Sequence, residues 1–216
     1  MFHILKKDWP IILILFFTLL AAILVYPHMP DRVPMHWNIK GEVDSYGSRF
    51  SGTFLLPLMN IGMYALFLVL PKLDPKKENY DKFKSSYQVI KYALIIFMSM
   101  IYLFVVLASL GYPINIGKVV PAGVSILFII LGNVMSRVKF NYFVGFRLPW
   151  TLANEEVWTK THRLGAKLMV SGGFVALIGS LLANGTMSFA IMMAAIFIPI
   201  IFTTIYSYVI FHKIAK

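Results

Sequence analysis

Six stretches of the chain are apolar almost without interruption, and polar residues gather in clusters between them. The stretches cover residues 9–26, 52–70, 92–110, 119–135, 168–183 and 187–211. A helix needs about 20 apolar residues to cross the hydrocarbon of a bilayer. Each stretch therefore predicts a transmembrane helix, and the fifth extends back through Gly165 and Ala166. Lys6 and Lys7 precede the first as they would a secretory signal. It runs instead into Tyr26-Pro27-His28-Met29-Pro30 with no small-x-small cleavage site, so it is expected to stay in the mature protein.

Composition agrees. Hydrophobic residues make up 59% of the 216 and charged residues 13%, about half the charged share of a soluble chain. The predicted class is an all-α integral membrane protein with six transmembrane helices. The formal charge of +11 is explained by where the cations stand. Lys6, Lys7, Lys72, Lys76, Lys77, Lys82, Lys84, Lys91, Arg137, Lys139, Arg147, Lys160, Arg163, Lys167, Lys213 and Lys216 fall on one side of such a bundle. Arg32, Lys40, Arg49 and Lys118 fall on the other. Sixteen against four places the first side, with both termini, in the cytoplasm. Attraction to anionic lipid accounts for the basic balance without nucleic acid. The chain has no cysteine, which excludes a disulfide scaffold and a cysteine nucleophile.

All nine acids lie in loops or at span ends, whereas ion-coupled transport by side chains uses carboxylates at mid-membrane depth. The spans are accordingly expected to lack buried charge. Pro57, Pro121 and Pro199 predict kinks in packed helices rather than unwound ion sites. Gly172, Ala176 and Ser180, with Gly179 and Ala183 on a second row, form a small-residue face suited to close helix packing within the chain.

Three polar segments remain. In the external loop, residues 27–51, Val33, Met35 and Trp37 alternate with Pro34 and His36, which predicts a short strand-like piece. Asn38 to Gly41 then reads as a turn. His36, Glu42 and Asp44 are possible cation ligands, and Trp37 and Tyr46 can clamp an apolar ligand, yet recognition of an external molecule fits this loop better than a metal site. The segment 72–91 reads as a lysine-rich topology anchor. In the cytoplasmic segment 136–167, Thr151 is expected to cap a helix beginning near Asn154, Glu155 and Glu156. Trp158, Thr161, His162 and Gly165 recur at helical steps on one face, with Glu155 two turns from His162. An interfacial helix with Trp158 in lipid is predicted. An acid–base or metal pair of Glu155 and His162 is the alternative, unsupported by any HExxH, Ser-x-x-Lys or phosphate-loop pattern.

Two stretches carry a family resemblance. Pro30-Asp31-Arg32-Val33-Pro34-Met35-His36-Trp37-Asn38, continuing to Gly41-Glu42-Val43-Asp44, resembles the N-terminal membrane domain of SdpI-like proteins. Gly132-Asn133, then Asn141-Tyr142-Phe143-Val144-Gly145-Phe146-Arg147-Leu148-Pro149-Trp150-Thr151, resembles the C-terminal half of that family. The second stretch continues from Asn154-Glu155-Glu156-Val157-Trp158 to His162-Arg163. The implied organisation is a two-span unit, residues 1–90, bearing the external His-Trp-Asn loop, and a four-span unit, residues 91–216.

The resemblance implies a bacterial plasma-membrane immunity protein, without cofactor or metal, that protects its cell against a secreted Sdp-type toxic peptide. It also implies signalling, by holding a small autorepressor at the membrane. The expected toxin-binding residues are His36, Trp37, Asn38, Glu42 and Asp44. Asn133, Asn141, Gly145, Arg147, Pro149, Trp150, Glu155, Trp158 and His162 are expected to meet the cytoplasmic partner or to support structure. The competing functions are a membrane enzyme or metal-binding protein built on His36 or on Glu155 and His162, and a peptide exporter.

Overall fold

The structure, a computed structural model, describes the backbone of residues 2–214 and the side chains of residues 8–214. The charges of Lys6, Lys7 and Lys216 lie outside the described residues. Among the described residues, six helices are long and apolar enough to cross a membrane: α1 (Phe2–Val25), α2 (Arg49–Leu73), α3 (Lys84–Ser109), α4 (Ile116–Met135), α6 (Glu155–Leu182) and α7 (Gly185–Ile214). A five-residue helix, α5 (Pro149–Ala153), precedes α6, and a 3-10 helix, Lys77–Phe83, precedes α3. Helices α2, α4 and α7 run unbroken through Pro57, Pro121 and Pro199.

The external segment is a hairpin, β1 (Arg32–Trp37) antiparallel to β2 (Val43–Ser48), with Arg32 opposite Ser48 and Trp37 opposite Val43. The alternating residues of β1 predicted that strand; its partner was not foreseen. Contact with glycines seats the hairpin on the helix ends. Val33 is fully buried and packs where Gly52 of α2 has no side chain. At the tip, a Cβ on Gly41 would come 3.0 Å from the backbone of Gly117 at the start of α4. The Lys40 carbonyl rests near Gly185, the first residue of α7. The hairpin therefore bridges α2, α4 and α7.

Small residues also set the helix spacing. Gly172 faces the backbone of Ala195 and Gly179 faces Ile191, both on α7, while Gly132 of α4 fits against Met169 and Val170 of α6. With so little side-chain bulk between them, backbones pack at close range, the main source of helix association where lipid is as apolar as protein. The predicted small-residue row is thus spent inside the bundle.

Two expectations need correction. The segment expected as an interfacial helix is the first part of the continuous 28-residue α6. Trp158 is 1% exposed, so it faces protein and not lipid. The bundle also contains a buried charge pair. Lys91 lies in the third turn of α3, not in the preceding loop, and its ammonium meets the Asp8 carboxylate of α1 at 2.5 Å. Both side chains are almost completely buried, and the Tyr64 hydroxyl of α2 donates to the same carboxylate oxygen at 3.3 Å. One ion pair thereby ties α1, α2 and α3 together.

Removing one partner of a buried pair leaves an uncompensated charge, which costs about 3–5 kcal/mol. Lys91→Met or Asp8→Leu alone should lower the unfolding free energy in detergent by that order, seen as a lower midpoint. The double variant should recover most of the loss, and a midpoint as low as the sum of the singles would refute the pairing.

Candidate functional site

The hairpin closes over a cavity of about 420 Å³ whose walls are mainly apolar. Leu55 and Leu56 of α2, Ile101 and Phe104 of α3, Val120 of α4 and Met192 of α7 contribute, with Met35 to Ile39 of the hairpin above them. The turn over the cavity is held by one side chain. Asn38 Oδ1 accepts from the Lys40 and Glu42 amides at 2.8 and 3.1 Å, and its amide donates to the Glu42 carboxylate at 3.0 Å. Gly41, at φ +83°, supplies the left-handed residue that the reversal requires.

His36 and Asp44 meet across the strands, Nδ1 to Oδ1 at 2.5 Å, with side chains 68% and 41% exposed. Pairs this exposed contribute little stability, roughly 0–1 kcal/mol, so they present hydrogen-bonding groups to the outside instead of holding the fold. Trp37 packs against the cluster of Ala22, Met29, Tyr102 and Val105 and also lines the cavity. Of the five residues expected to recognise an external molecule, His36 and Asp44 form the exposed pair. Asn38 and Glu42 build the turn, and Trp37 joins it to the cavity.

At the opposite end of the bundle, residues 136–154 form a mostly non-helical segment whose backbone is satisfied by side chains. Asn141, fully buried, accepts from the Phe143 and Val144 amides at 2.9 and 2.6 Å and donates to the Lys139 and Val144 carbonyls. Asp74, capping the end of α2, accepts from the Tyr142 amide and the Tyr80 hydroxyl. Asn79 donates to the Phe140 carbonyl and Trp158 Nε1 to that of Val138. Trp150 donates to Ser207 of α7. Arg147 is exposed and donates to the Tyr142 carbonyl at 3.0 Å. Glu155 and Pro149 are exposed, and Asn133 stands apart on an exposed position near the end of α4.

His162 lies 1% exposed and stacked on Trp158, ring centroids 4.0 Å apart. Its Nε2 accepts from the Phe146 amide at 3.0 Å, and its Nδ1 donates to the Trp158 carbonyl at 2.8 Å. Both partners have fixed roles, so the ring is the neutral tautomer with its proton on Nδ1. With both nitrogens engaged it has none to offer a proton or a metal, and Glu155 makes no contact with it. Among the described residues no three His, Asp or Glu side chains group as metal ligands. Helix α6 is capped by Asn154, which accepts from the Glu156 and Val157 amides. Thr151, expected in that role, instead accepts from the Leu148 amide and donates to the Phe146 carbonyl.

Sequence reasoning missed Asp74 and Asn79, which read as ordinary loop polars, and every helix residue of the cavity wall, since an apolar residue facing a void has the same letter as one facing lipid.

Comparison with known proteins adds lineage to this geometry. Residues 137–207 match the SdpI/YfhL protein family, and residues 13–61 match a domain of unknown function, DUF1648. The chain is 28% identical over 209 residues, 97% of its own length and 98% of the relative's, to a protein named Immunity protein SdpI from Bacillus subtilis (strain 168). The chain is thus similar to SdpI-family proteins, through the family match in its C-terminal part and through this relative along nearly its whole length. No solved structure matches. The DUF1648 match spans the hairpin and the adjoining parts of α1 and α2. The SdpI/YfhL match runs from the side-chain-supported segment through most of α7.

Gly145, at φ +121°, adjoins His162 so closely that a Cβ would overlap Nε2. Gly145→Ala should destabilise the protein by about 1–3 kcal/mol, as should His162→Phe, which orphans the Phe146 amide. Because both break one contact, the double variant should unfold well above the midpoint that simple addition gives. Strict additivity in thermal unfolding would show that the two residues act separately.

Proposed function

We propose that this chain is a membrane immunity protein that protects a bacterial cell against a secreted, membrane-active peptide of the Sdp type. It sits in the plasma membrane with the hairpin outside and both termini in the cytoplasm. The observation that carries the proposal is the likeness, end to end, to a relative named an immunity protein. The geometry supports it. A toxin arriving from outside meets the hairpin, whose exposed face offers the His36–Asp44 pair and whose inner face roofs the apolar cavity. An amphipathic peptide has both kinds of surface, so polar residues engage the strands while an apolar side chain enters beneath them. The role is read as non-enzymatic, which the likeness to an immunity protein supports and which agrees with the commitment of His162 within the fold.

The proposal includes signalling. Toxin engagement shifts a two-state packing of α2, α3, α4 and α7 around the cavity, which alters the cytoplasmic face where Arg147 and Pro149 are exposed. A small autorepressor held there would be withdrawn from its operator.

Expression of the chain in a toxin-sensitive Gram-positive cell lacking its own immunity genes should raise survival against Sdp-type peptide above the vector control. His36→Ala with Asp44→Ala should reduce protection about tenfold while membrane abundance stays unchanged, consistent with the loss of roughly 1.4 kcal/mol of binding. Val120→Phe, which fills the cavity from α4, should do the same. Full protection by both variants would refute the hairpin and cavity as the binding site, and no protection by the unmodified chain would refute the immunity role.

A further inference from the structure

A second site lies at the other end of the bundle, in the groove between α4 and α6, and it is independent of the immunity proposal. The groove has a volume of about 700 Å³. Its α6 wall is one helical stripe, Arg163, Lys167, Val170, Ser171 and Phe174, recurring at three- and four-residue steps. The chemistry along it is graded. Arg163 and Lys167 are exposed cations that join no ion pair among the described residues. Ser171 follows, and half-buried Val170 and exposed Phe174 form the apolar end. The facing wall is the end of α4, where Asn133 and Ser136 add uncharged hydrogen-bonding groups beside the cations.

The dimensions identify the occupant. From Arg163 to Phe174 is eleven residues, about 16 Å along a helix axis, close to half the roughly 30 Å hydrocarbon thickness. Two cations and two neutral polar groups at the mouth, with an exposed apolar stripe about one leaflet long beyond them, match an anionic headgroup and its acyl chain. A soluble anion needs only the mouth. The end of α4 brings the negative pole of its dipole to the groove, equivalent to about half a charge, and two full cations outweigh it. The Lys and Arg distribution turns this face toward the cytoplasmic leaflet, where anionic lipid gathers. We infer that the α4–α6 groove is a binding site for an anionic phospholipid, with Arg163 and Lys167 on the phosphate, Asn133 and Ser136 beside it, and an acyl chain along Val170 and Phe174.

The test uses the full chain in mild detergent, offered equal amounts of phosphatidylglycerol and phosphatidylcholine and read by native mass spectrometry. The unmodified chain should retain phosphatidylglycerol about tenfold better. Arg163→Gln with Lys167→Gln should abolish that preference at an unchanged unfolding midpoint, and Lys77→Gln, on the same face but outside the groove, should keep it. Glycerol 3-phosphate should not displace the lipid. Equal retention of the two lipids, an unaltered preference in the double variant, an equal loss in the Lys77 control, or displacement by glycerol 3-phosphate would each overturn the assignment.

Discussion

A backbone amide or carbonyl in the hydrocarbon of a bilayer has no water to bond with, so each must find its partner inside the protein. Within the six spans the helix itself answers this requirement. The two segments that leave helical geometry near the bundle ends answer it differently, and their solutions determine most of what distinguishes this chain. The hairpin pairs its strands and gives the turn amides to Asn38. The segment 136–154, which has no strand to pair with, hands its amides and carbonyls to Asn141, Asp74, Asn79, His162, Thr151 and Trp158. Much of the long motif that resembles the family is this set of donors and acceptors. It reads as chemistry because it is polar, but it serves as scaffolding.

From this it follows where function can reside. Residues that satisfy buried backbone are not free to bind or react, which leaves the exposed strand face of the hairpin, the apolar cavity beneath it, and the outer surfaces at the opposite end. Helix α4 belongs to both regions. Its first turn touches the hairpin tip through Gly117 and lines the cavity, and its last turns form a wall of the basic groove. One continuous helix therefore borders both the cavity under the hairpin and the basic groove at the opposite end.

The sequence made the spans, the first strand and the turn legible, because each depends on a local period or on a residue with a special conformational role. It misled where the partner of a residue was remote. Lys91 reads as loop because the apolar run begins at Tyr92, yet α3 starts at Lys84, and only the approach of α1 shows that Asp8 neutralises it. The face shared by Trp158, Thr161, His162 and Gly165 was visible from its spacing. Spacing tells which residues share a side and not what that side meets, so protein was mistaken for lipid. The cavity left no mark at all, since its walls use the same leucines, isoleucines and phenylalanines that elsewhere face the bilayer.

The central claim is that toxin binds at the hairpin and the cavity it covers. The absence of native cysteine permits a direct test, with a single environment-sensitive fluorophore on Ser45→Cys in β2, the full chain in lipid nanodiscs, and titration with Sdp-type peptide. The account predicts a saturable fluorescence change that weakens at least about tenfold when Val120→Phe fills the cavity. A titration that does not saturate, or one that the filled cavity leaves unaltered, would contradict it.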